Sequence, residues 1–147
     1  MERVQDYACG YIIKRPKSSL RKAFACAKNE TRKLRKVLKL RAPRFFYYAE
    51  SDNSCSVYCN GSMEDPVIGI NTEAFSSTDL DIQQAVESTV VHELLHAFLE
   101  NSGLLCTDYE HPEDDVEHIT RLYCEGIIPE TKVEEMLTEI VCDMLED

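Results

Sequence analysis

Apolar residues recur with a helical period over three long stretches of the chain. Leu20, Phe24, Ala27, Thr31, Leu34 and Leu38 mark one face of a segment at about 18–40, which Ala42 and Pro43 terminate. Ile82, Val86, Val90, Leu94, Ala97 and Phe98 repeat the pattern across 79–102, where no proline intervenes. Thr78 with Asp81 is a candidate N-terminal capping pair for that helix, and Gly103 a candidate C-cap. After Gly126 and Pro129, the positions Val133, Met136, Leu137, Ile140, Val141, Met144 and Leu145 predict an amphipathic helix at about 130–146. A shorter helix follows Pro112, with Val116, Ile119 and Leu122 on its apolar side.

Between the first two helices the period changes. Residues 44–50 are rich in aromatics, residues 54–60 alternate, and residues 66–71 carry Val67, Ile68 and Ile70. Asp52-Asn53 and Asn60-Gly61 are turn signals, so these segments predict a three-stranded antiparallel meander. Residues 7–13 read as a short strand or an irregular lead-in. The expected fold class is α+β, with one domain over 1–147, a small antiparallel three-stranded sheet and flanking helices.

Charge divides the chain. The formal net charge is −11, yet residues 14–44 hold 13 of the 16 Lys and Arg residues, with Glu30 as their one acid. The predicted first helix is therefore cationic, while residues 45–147 carry 24 acids and two basic residues. A cationic helix packed on an acidic body is the expectation; contact of that helix with nucleic acid is the less favoured alternative. No apolar run is long enough to span a membrane and no apolar signal core opens the chain, so a monomeric, cytoplasmic protein is expected. The seven cysteines include no Cys-x-x-Cys pair, which suits free thiols in a reducing compartment.

Chemistry enters at His92-Glu93-Leu94-Leu95-His96. Histidines four apart share a helix face and can reach a single metal ion. The glutamate beside the first is then placed to take a proton from a water that such an ion activates. A catalytic zinc site needs a third protein ligand and leaves one position open.

The flanks add a resemblance. Residues 89–98, with Thr89, Val90, Leu94, Leu95, Ala97 and Phe98 around the histidines, resemble the active-site helix of zincin metallopeptidases. Leu99 and Ser102 stand where metzincins carry glycine and histidine, which excludes that branch. The helix beginning at Glu113 is similar instead to the ligand helix of gluzincins, including ImmA/IrrE-type peptidases and small phage-encoded HExxH proteins. This likeness covers roughly 66–126.

The resemblance implies a minimal zincin: a peptidase acting on protein or peptide with one Zn2+ and Glu93 as general base. It makes His92, His96 and Glu113 the ligands, with Glu117 hydrogen-bonded to a ligating histidine; the reverse, Glu117 as ligand, stays open. Tyr109, His111, His118 and Arg121 are candidate donors to an oxyanion. Val67, Ile68, Gly69, Ile70 and Asn71 form the candidate edge strand for an extended substrate. A non-catalytic zinc-binding regulatory or nucleic-acid-associated module is the competing class.

Overall fold

A computed structural model describes residues 11–13, 15–49, 57–59, 67–75, 82–102 and 113–145. The elements run β1 (Tyr11–Ile13), α1 (Ser18–Glu30), α2 (Arg32–Val37), β2 (Arg44–Ala49), β3 (Val57–Cys59), β4 (Val67–Asn71), a 3-10 turn (Thr72–Phe75), α3 (Ile82–Asn101), α4 (Glu113–Cys124) and α5 (Glu130–Leu145). Helix and strand are mixed, and helix dominates. The capping residues expected at Thr78, Asp81 and Gly103, and Pro112, lie outside the described residues.

The antiparallel meander is not the sheet that forms. The order is β1-β2-β4-β3, with β2 and β4 parallel at the centre and β1 and β3 antiparallel on the outside. The lead-in supplies a fourth strand, Tyr11–Ile13. Strand β4 is paired on both sides, with Arg44 opposite Val67 on one and Cys59 opposite Ile68 on the other. The residues Val67, Ile68, Gly69, Ile70 and Asn71 therefore do not form a free edge, contrary to the expectation for the substrate strand. The physical reason is composition: the most apolar strand takes the sheet interior, where both neighbours cover it, and the alternating one takes the rim.

The expected single helix at 18–40 is two. Thr31 has φ −91° and ψ 4°, which breaks the regular α geometry between α1 and α2. Its hydroxyl donates to the Ala27 carbonyl at 2.8 Å, and its N–H bonds the same oxygen at 2.9 Å. Arg35 N–H in turn reaches the Thr31 carbonyl, so the ladder passes through the break. Lys39 stops the segment at φ 59°.

Register puts Phe45 beside Ile68 and Tyr47 beside Ile70 on one sheet face. Phe24 of α1 meets that face, with ring centroids 5.3 Å from Phe45 and 5.9 Å from Tyr47. The other buried residues of α1, Leu20, Ala23 and Ala27, pack on the same core, and α1 lies against α3. Helix α3 is central. Val90, Val91, Leu94, Leu95, Ala97 and Leu99 are buried around most of its circumference, and it also touches α4, α5 and β3. The packed middle of the helix holds the polar side chains embedded there rigidly.

Candidate metal centre

The three polar residues of the motif sit on this apolar rod. Glu93 and His96 are each 8% exposed, and His92 is half-buried. One helical turn brings His92 and His96 together, with ring centroids 4.7 Å apart and the two Nε2 atoms 3.1 Å apart. Glu113, the first residue of α4, closes the group. Its Oε1 lies 2.9 Å from His96 Nε2 and its Oε2 3.4 Å from His92 Nε2.

Three Lewis-basic atoms thus converge on one point, and together these residues can hold a metal ion. The spacing suits a small cation. Ligands about 2.0–2.1 Å from a tetrahedral centre stand about 3.3 Å from one another. The two Nε2 atoms are 3.1 Å apart, each approaches a different oxygen of Glu113, and one donor atom from each of the three residues lies within 4.8 Å of the others.

Two glutamates competed for the third position on sequence grounds, and it is Glu113 that the structure brings to both rings. Glu117, one turn along α4, is exposed. It borders a trough of about 450 Å³ between α3 and α4, with His92, Ser88 and Gln84 on the opposite wall. Of the four candidate oxyanion donors, Tyr109 and His111 lie outside the described residues. His118 is exposed, and five residues beyond Glu113 it faces another side of α4. Arg121 lines the trough, two turns from Glu113, which is about 12 Å of helix.

Glu93 carries the strongest electrostatic signature of the site. Its carboxyl pKa is pushed up to about 8, first by burial and then by the negative charges of Glu113 and Glu100. Glu100 was not anticipated, nor were Gln84, Ser88 and Glu87 on the trough wall. Steps of four back from His92 would have found Ser88 and Gln84. Glu87 also has a raised pKa, through burial and then a hydrogen bond and charge from Glu30 of α1. No helix among the described residues is long and apolar enough to cross a membrane. The chain matches no protein-family model, no curated protein and no solved structure.

Proposed function

We propose that this chain is a zinc-dependent peptidase of minimal gluzincin type. The observation that carries the reading is the convergence of His92, His96 and Glu113 beside the buried carboxyl of Glu93. Zinc held by those three side chains would supply Lewis acidity to a water and to a scissile carbonyl. The rest falls to the chain itself.

Glu93 stands about 100° around α3 from His92, on the flank away from the trough. There it accepts the water's proton and returns it to the leaving amine. A nearby dication favours the ionised form, so the burial that raises its pKa is opposed when the site is loaded. The stiffness of α3 fixes the carboxylate relative to both imidazoles, which removes an ordering cost from the reaction. Strand β3, at the rim of the described sheet and against α3, is the segment positioned to pair with an extended peptide. It replaces β4 in that role.

The test uses zinc content by mass spectrometry together with hydrolysis of internally quenched peptides. Glu93→Gln keeps stoichiometric zinc and loses about 10²–10⁴-fold in turnover. Glu113→Ala loses zinc more severely than Glu117→Ala, for which a drop in affinity of about 10–100-fold is expected if it orients a ligand. A parent protein that binds zinc but cleaves no peptide in a broad panel would leave a non-catalytic zinc module as the reading. Equal turnover by Glu93→Gln would remove Glu93 from the chemistry.

A further inference from the structure

Two cations of α1 and α2 contribute to the fold, Lys28 over the Phe45 ring at 5.9 Å and Arg35 donating to the Leu40 carbonyl at 2.8 Å; the others point to solvent. Lys17, Arg21, Lys22, Lys28, Arg32 and Lys36 are all exposed, on the flank and outer side of the helices that bury Leu20, Ala23, Phe24, Ala27 and Leu34. They follow one another along the two consecutive helices α1 and α2.

Glu30, at the end of α1, is the one acid within the two helices. Lys28 and Arg32, and Arg32 and Lys36, are like charges one turn apart, an arrangement that opposes helix formation. The first turn of α1 holds no acid, and its N-cap, Lys17, makes no side-chain cap bond. Among the described residues, the ion pair from this segment to the acidic body is Lys33 to Glu130, 3.5 Å long, with the lysine 82% exposed.

We propose that this row of cations binds the phosphate backbone of double-stranded DNA without reading its bases. The composition of the face selects the partner. A protein–protein interface needs an apolar or aromatic centre, and the outward residues among the cations are Ser18, Ala25 and Asn29. Phosphate contacts need only cations, hydroxyls and backbone N–H groups. The row offers these, including the exposed Ser18 and Ser19 at the start of α1. The acidic helices do not cancel the attraction at physiological salt. Screening over about 8 Å weakens their repulsion of the phosphates.

The measurement is fluorescence anisotropy of a short labelled duplex against the full chain, with and without zinc, over about 75–200 mM salt. The expected Kd is about 10–100 µM near 100 mM salt, with affinity falling steeply as salt rises. The triple variant Lys22→Gln, Arg32→Gln, Lys36→Gln binds at least about tenfold more weakly, and its log–log salt slope is shallower by roughly three. A control with the same net charge, Lys132→Glu with Thr138→Glu on exposed positions of α5, keeps the parent slope. Absence of duplex binding, or equal loss in the triple variant and the control, overturns the proposal. So does tighter binding to single-stranded RNA or a polyglutamate peptide, or self-association in sedimentation that the triple variant abolishes. None of these outcomes depends on peptidase activity.

Discussion

Burial holds Glu93 in its neutral form, whereas its proposed chemistry needs the anion. The sign of the resulting pH dependence follows directly. A carboxyl whose folded pKa is raised from 4.5 to about 8 binds more protons folded than unfolded across that interval. Its contribution to stability is full below the unfolded value and is lost as pH climbs through 8. The whole difference amounts to a few kcal/mol, since each unit is about 1.4 kcal/mol. With a chelator present, the melting temperature of the parent should fall between pH 5 and pH 8.5 more steeply than that of Glu93→Gln. The variant should be the more stable of the two at pH 8. Zinc loading should shrink that gap, because the dication stabilises the carboxylate. Parallel curves for parent and variant under chelation would show that Glu93 is not buried as described.

At the scale of elements, what was legible depended on how local the deciding interaction is. Helix α3 follows from a proline-free stretch of 20 residues rich in apolar side chains, and the shared face of His92 and His96 follows from their spacing of four. The third ligand did not, because Glu113 and Glu117 lie on one face and only the packing of α4 against α3 separates them. The break at Thr31 was hidden because its hydroxyl is satisfied inside the helix, so the apolar stripe reads straight through it. Strand order failed for a similar reason: turn signals speak of neighbours in sequence, while β2 and β4 meet across the intervening β3. One residue reports on that pairing. Gly69 lies opposite Phe46, whose ring occupies the space a side chain would need; a Cβ at Gly69 would stand 2.5 Å from it. Gly69→Ala should therefore destabilise the chain by about 1–3 kcal/mol by overpacking. The cost should fall when Phe46 is first shortened to Leu. Denaturant titration of the two single variants and the double variant measures this, and an unchanged midpoint for Gly69→Ala would place the ring elsewhere.

For the whole molecule, the division of charge invites the idea that a basic segment is held electrostatically to an acidic body. The structure argues otherwise. The attachment runs through Phe24, which is 1% exposed and touches the rings of Phe45, Tyr47 and Phe75. Truncating such an aromatic costs about 3–5 kcal/mol. The ion pair from Lys33 to Glu130 is open to solvent on the lysine side, and pairs of that kind contribute about 0–1 kcal/mol. The apolar contact outweighs the ion pair several-fold, so charge decides little about where α1 and α2 lie. Two results should follow in urea unfolding followed by circular dichroism. Phe24→Ala should lower the unfolding free energy by about 3–5 kcal/mol, whereas Lys33→Gln should lower it by less than about 1 kcal/mol. Raising NaCl should not weaken the fold, because it screens repulsion among the cations of α1 and α2 and among the acids of α4 and α5 as well as the one long pair. A fold that loosens markedly in salt, or that suffers as much from Lys33→Gln as from Phe24→Ala, would mean that charge does fasten the segment. The cations would then have a structural duty, and the reason to seek a polyanion for them would go.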